Sequence, residues 1–383
     1  MAMVKKERIL LICSEPFSAT WAYFSLAVMK ALQKQERYQV SFLYLQVNAS
    51  TEYEKLIDES VQRIPFRLPM NKYLRQIARI LPLGLFVKIW RLHLKYNFQC
   101  AHSLITGYVL ANILRFFPKK MHLVYTVHDA TPHECHRTNL FSRYLFYSER
   151  KAIKEVPYLA TSSQTQVCLL RNMYPSKKVF YFPMPSHISE TIQHGNLICP
   201  EILNEKGYLL FFGGVNLYKG IELLVKSFIG SSFSNNLKLV IAGAGSYNPL
   251  DGISNPNIIL INRHIEDSEV RSLFENARCV VYPYISITQT AVVQFPYYFR
   301  TPVITSDLDY FKDCIVDGKT GFLFENKNVD QLSKLLEYVC SDQFDPKPMK
   351  LAMAEQYEKC YSEERLGKAL VDMYELVGKE KKE

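Results

Sequence analysis

At 383 residues the chain exceeds what one compact core usually needs, so two domains are expected. With 48% hydrophobic and 22% charged residues and no low-complexity tract, the composition excludes a disordered or fibrous protein. The net charge of +9 is gathered in one place, because residues 60–128 hold eleven Lys and Arg and no Asp or Glu. The nine cysteines are scattered, odd in number and without a C-x-x-C pair, which points to free thiols in a reducing compartment rather than disulfides or a metal site. The apolar run Ile9–Cys13 is too short for a signal-peptide core, and no stretch of about 18 apolar residues occurs. A cytoplasmic protein is expected.

Along the chain, a strand at 8–13 leads through a loop into a helix at 20–33, and a second strand follows at 38–44. Short buried strands are expected at 100–103, 123–128 and 158–161, with helices at 106–116 and 139–154 between them. Regular alternation stops near Met184-Pro185-Ser186, and residues 186–206 read as a linker. A second series follows, with strands at 208–212, 237–242, 258–262, 279–283, 302–305 and 321–324. Its helices are expected at 220–229, 267–277, 291–299 and 329–340, and 348–379 is helical. Strands alternating with helices predict an α/β chain of two Rossmann-like domains, 1–185 and 207–347, with 348–383 crossing back to the first.

In parallel sheets, ligands bind beyond the carboxyl ends of strands. One candidate is the strand end Phe211-Phe212-Gly213-Gly214, followed by Lys219 just before a helix. Exposed backbone amides and an ammonium suit a diphosphate, although a glycine turn with a surface lysine has the same spelling. Thr288, Gln289 and Thr290 lead into the helix expected from Ala291, and at that helix start the four residues either cap it or bind phosphate. Arg263 and Ile265 follow a strand and either edge a base pocket or form a plain loop. In the first half, His128 and Asp129 close a strand and His133 follows, an acid/base or hydrogen-bonding candidate, or simply structural residues. Two patterns read as decoys. Asp307-Leu308-Asp309 merely leaves a strand, and Gly243-Ala244-Gly245 lacks the helix that a dinucleotide needs.

The order Phe-Phe-Gly…Tyr-Lys-Gly (211–220), Leu-Val-Ile-Ala-Gly (239–243), Thr-Pro-Val-Ile-Thr-Ser-Asp (301–307) and Asp-Gly-Lys-Thr-Gly-Phe-Leu (317–323) resembles the retaining GT-B glycosyltransferases of capsule and O-antigen synthesis. The likeness spans most of the second half and, more loosely, His102, 126–129 and 161–163 in the first. It implies two domains facing across a cleft, with Gly213, Gly214, Lys219, Arg263, Ile265 and 288–291 on the donor. It also implies that His128 faces the sugar, with Asp129 and His133 nearer the acceptor. Retention of configuration is implied, with no obligatory metal and no cofactor beyond the nucleotide-sugar substrate, for which UDP is the default. The sequence departs from the family where Arg usually stands at position 214 and two glutamates at 287 and 295, here Gly214, Ile287 and Phe295. Thr288-Gln289-Thr290-Ala291-Val292-Val293 and Tyr297-Tyr298-Phe299 resemble a branch with Thr-Gln-Ser-Gly-Val-Val in that place.

The acid-free segment interleaves Lys72, Arg75, Arg79, Lys88 and Arg91 with Trp90 and other apolar residues, split by Pro82 and Gly84. This pattern suits an anionic membrane surface, or helices that bury their apolar faces and solvate their charges. No nucleic-acid motif accompanies the charge. The expected protein is a peripheral membrane glycosyltransferase that moves a sugar from a nucleotide donor to a lipid-linked or glycan acceptor. A catalytically degenerate GT-B scaffold is the rival, and a sugar-nucleotide epimerase a lesser one.

Overall fold

The apolar run near the N-terminus becomes the centre of a sheet. In the computed structural model, which describes residues 6–105, 108–130, 140–233 and 236–379, seven strands build the first sheet. They are β1 (Glu7–Pro16), β2 (Tyr38–Leu45), β3 (Gln62–Phe66), β4 (Cys100–Ile105), β5 (His122–Thr126), β6 (Tyr158–Thr161) and β7 (Lys178–Tyr181). All pairs are parallel, in the order β3-β2-β1-β4-β5-β6-β7. Parallel pairing requires crossovers. The described helices between these strands are α1 (Ala19–Gln33), α2 (Ser50–Glu54), α3 (Lys72–Ile80), α4 (Leu83–Tyr96), α5 (Tyr108–Ala111), α6 (Leu140–Glu155) and α7 (Gln164–Met173). The expected helix over 106–116 is thus one turn, α5, followed by a 3₁₀ turn at Leu114–Phe116.

The second unit runs from Ile188 to Cys360. Its elements are α8 (Glu190–His194), β8 (Tyr208–Phe212), α9 (Ile221–Ile229), β9 (Leu239–Ala242), β10 (Ile258–Ile261), α10 (Asp267–Glu275) and β11 (Ala277–Tyr282). There follow α11 (Gln294–Phe299), β12 (Val303–Ser306), α12 (Asp309–Cys314), β13 (Phe322–Phe324), α13 (Val329–Cys340) and α14 (Lys347–Tyr361). The six strands are parallel in the order β10-β9-β8-β11-β12-β13.

The stretch read as a linker is largely part of this unit. Ser189 caps α8 and donates to Asp267 at the start of α10 (2.8 Å), and the Leu197 N–H donates to the Ser268 carbonyl (3.1 Å). The terminal helical segment is two helices, of which α15 (Glu363–Lys379) belongs to the first unit. There α15 buries Leu366, Leu370, Met373 and Val377, and Glu363 binds Lys30 of α1 and Lys34 just after it (2.6 and 2.5 Å).

Candidate functional site

In each sheet the strand order turns back once, between β1 and β4 and between β8 and β11. Loops leaving the carboxyl ends on either side of such a switch diverge and open a crevice. In the second unit, the loop leaving β8 lies along the loop leaving β9. Gly213 N–H donates to the Ala242 carbonyl and Val215 N–H to the Ala244 carbonyl, both at 3.0 Å. Glycine is required at 243, where φ is +147° and a Cβ would stand 2.1 Å from the Gly213 carbonyl oxygen. Between the two bonded amides, the exposed Gly214 N–H has no partner among the described residues.

The chain then makes one 3₁₀ turn, Leu217–Lys219, and passes Gly220 at φ +63°. A Cβ on Gly220 would stand 2.0 Å from the Pro283 oxygen, so only glycine lets this turn lie against the end of β11. That contact places Lys219. Its side chain is 7% exposed, and Nζ donates to the Tyr284 hydroxyl at 2.5 Å. The ammonium also lies 4.0 Å from the Tyr284 ring centroid and 5.3 Å from that of Tyr218. Among the described residues no carboxylate offsets its burial, which alone pushes its pKa down to about 7. A buried cation with hydroxyl and ring partners but no counter-ion favours an anion supplied from outside.

The third segment, after β11, is tied down by tyrosines. Tyr282 donates to the Val292 carbonyl (3.3 Å), Tyr310 to the Thr290 carbonyl (2.7 Å), and the Ile285 N–H to the Tyr218 carbonyl (2.9 Å). A side chain placed on Gly213 would meet Val292 at 3.7 Å and the Tyr284 hydroxyl at 3.9 Å. The glycine loop, Lys219 and this segment therefore meet around Tyr284. Thr288, Gln289, Thr290 and Ala291 are half-buried there, but they do not start a helix. The helix expected from residue 291 begins at Gln294 and has six residues. Pro296 has no N–H for the Val292 carbonyl, which takes Phe295 N–H (3.2 Å) and the Tyr282 hydroxyl instead, so 291–293 form a turn.

Two other expectations change. Arg263 spends its guanidinium on Glu201 (3.0 Å, twice) and Glu269 (2.7 and 2.8 Å), which raises its own pKa and holds both carboxyls below their usual range. It ties residues 200–202 to α10 and is no free donor to a base. Ile265, two residues on, is buried. Phe295 stacks on Phe274 (centroids 5.6 Å apart) and packs on Phe212 (5.2 Å), so an apolar cluster fills the position where the resembled family carries a glutamate.

In the first unit, His128 follows β5 with its ring between Trp21 (5.1 Å) and Phe24 (5.2 Å). Nε2 donates to the Leu104 carbonyl at 2.9 Å, and burial lowers the ring's pKa, so it is neutral with its lone pair on Nδ1. Gln166 fastens the strand end, donating to the His128 carbonyl (2.6 Å) and accepting from Ala130 N–H (2.7 Å). Asp129 is half-buried beside it, while His133 lies outside the described residues. His102 is structural, bonded to Tyr374 (2.7 Å) and Thr126 (2.8 Å) in the core.

Sequence reading passed over Glu149, on α6. Burial, then the charges of Asp129 and Glu15, push its pKa up to about 7. Because the folded value lies above the unfolded one, the associated stability is present at low pH and is lost as pH rises through about 7. Glu149→Gln is therefore expected to raise stability at pH 8 by about 2 kcal/mol and to change little at pH 4, measured by urea unfolding.

Residues 200–359 match the family described as Glycosyl transferases group 1. An uncharacterized glycosyltransferase of Methanocaldococcus jannaschii is 25% identical over 307 residues, 74% of this chain and 76% of that one. A capsular polysaccharide biosynthesis glycosyltransferase, CapM of Staphylococcus aureus, is 28% identical over 158 residues, 37% of this chain and 39% of that one. The structure of HepE from Anabaena with UDP and glucose superposes with a TM-score of 0.70 at 12% identity, over 97% of this chain and 100% of that one. The fold is GT-B, and its second unit holds the residues that match the group 1 family.

The glycine loop, Lys219 and the segment after β11 all lie inside the residues matched to the group 1 family. Tyr284 itself escaped sequence reading, although Tyr282-Pro283-Tyr284 ends the strand at the switch point. Of the basic residues picked out in the first unit, Lys72, Arg75 and Arg91 are exposed, as is Trp90, whose Nε1 donates to the Phe116 carbonyl (3.0 Å). Two turn inward instead. Lys88 donates to the Pro65 carbonyl, and half-buried Arg79 lies near enough to Glu15 to favour that residue's ionised form. No described helix is long and apolar enough to cross a membrane.

Proposed function

We propose that this protein transfers a sugar, with retention and without a metal, from a nucleotide-sugar donor to a lipid-linked or glycan acceptor of surface polysaccharide synthesis. The observation that carries the reading is the buried, carboxylate-free Lys219 at the second sheet's switch point, on the same loop as the exposed Gly214 N–H. Cleavage of a sugar–diphosphate bond gathers negative charge on the departing diphosphate, and a preorganised cation and N–H are what that charge requires. The half-buried Thr288, Gln289 and Thr290 add hydroxyl and amide groups in the loop after β11. With Arg263 committed to Glu201 and Glu269, the base is recognised by other groups, and UDP is the first nucleotide to test because HepE was solved with it. On the first unit, His128 takes the role of facing the sugar and Asp129 the acceptor-side role, with Glu149 able to exchange a proton near neutrality. The polysaccharide setting is supported by the likeness to the capsule glycosyltransferase.

A second reading, a non-catalytic scaffold, is favoured by Phe295 in its aromatic stack and by Gly214 where the family usually carries arginine. Incubation with UDP-sugars and a membrane extract separates the two. Release of UDP with labelled glycan or lipid is expected, whereas nucleotide binding without any release would establish the scaffold.

A further inference from the structure

Helix α3 is amphipathic with its apolar side in water. At about 100° per residue, Tyr73, Leu74, Ile77 and Ile80 share one side, and Lys72, Arg75, Gln76 and Arg79 the other. An apolar stripe of this kind normally faces a core. Here none of the nine residues is buried, and Tyr73, Leu74, Ile77 and Ile80 are 78, 55, 58 and 54% exposed. Met70 before the helix and Leu81 after it extend the patch at 95 and 54%. The helix is nevertheless held in place. Asn71 accepts from the Tyr73 and Leu74 N–H groups (2.9 and 3.2 Å), and Asn112 donates to the Ile80 carbonyl (2.9 Å). By contrast, α4 buries Leu85 and Ile89, so the membrane face that the sequence spread over both amphipathic pieces centres on α3 and the turn that follows it.

We infer that α3 lies in the interface of a membrane rich in anionic lipid, its apolar side among the acyl chains and Lys72 and Arg75 at the headgroups. The occupant is chosen by charge complementarity. The patch sits in a stretch of 69 residues, 60–128, that has eleven cations and no acid, so no residue of that stretch repels a negative surface. A second copy would bring the same cations face to face. Docking by α3 extends the proposed membrane-bound acceptor but stands on separate residues, so Lys219→Ala should leave it unchanged.

The test is sedimentation with phosphatidylcholine vesicles, with and without phosphatidylglycerol. Binding about tenfold tighter or more to the anionic vesicles is expected, lost by about tenfold in Leu74→Ser/Ile77→Ser and in Lys72→Glu/Arg75→Glu. These side chains are largely exposed, so circular dichroism should show the variants folded. An Ile77→Trp variant should shift its emission to the blue on binding. Equal binding to neutral vesicles, no binding at all, or a self-association abolished by Ile77→Ser would each overturn the proposal, the last in favour of a dimer contact.

Discussion

Replacing Lys219 by alanine is expected to lower sugar transfer by about 10²–10³ in kcat, the usual cost of losing one preorganised electrostatic donor. Without arginine at position 214, the lysine is the one cation at the Tyr284 cluster among the described residues, and the Gly214 N–H cannot replace a full charge. The fold should survive. A buried ammonium whose nearest polar partner is the Tyr284 hydroxyl, 2.5 Å away, is held against its desolvation, so its removal relieves a cost while leaving a cavity. Lys219→Met keeps the stem and removes the charge, so it should match alanine in rate and exceed it in thermal stability. Near-normal turnover in both variants would remove the residue from the mechanism.

Donor affinity should also weaken as the pH rises above about 7. Burial lowers the free protein's lysine pKa to about 7, and a bound diphosphate favours the ammonium and raises it again. Binding therefore takes up a proton wherever the free amine is neutral and the bound one charged. Above pH 7 the association constant should fall by up to about tenfold per pH unit, and below it this dependence should vanish. Calorimetry of UDP binding in buffers of different ionisation enthalpy measures the uptake directly. The expected result is a fraction of a proton at pH 7 approaching one at higher pH, and no such uptake in Lys219→Met. A pH-independent affinity would mean that the amine does not meet the diphosphate.

Much of this arrangement is legible in the residues. Alternating strands and helices gave both sheets, and Gly-Gly before Tyr-Lys-Gly marked the loop at the second switch point. What the pattern could not carry is pairing across the chain. Arg263 looks like a loop cation until Glu201, 62 positions earlier, folds back onto it. Tyr284 looks like one more strand aromatic until Lys219, 65 positions before it, settles over its ring. Likewise, an amphipathic sequence reads the same whether a core or a lipid surface covers it, so only the exposure of Tyr73 and Ile77 distinguishes α3 from an ordinary packed helix. The late start of α11 had a visible signal in Pro296, whose missing N–H rules out a regular helix from 291.

The most direct test is a crystal structure of the chain with UDP bound. The account predicts the diphosphate within hydrogen-bonding reach of Lys219 Nζ and the Gly214 N–H, at the carboxyl ends of β8 and β11. A nucleotide seated elsewhere, with Lys219 still closed on Tyr284 and out of its reach, would contradict it.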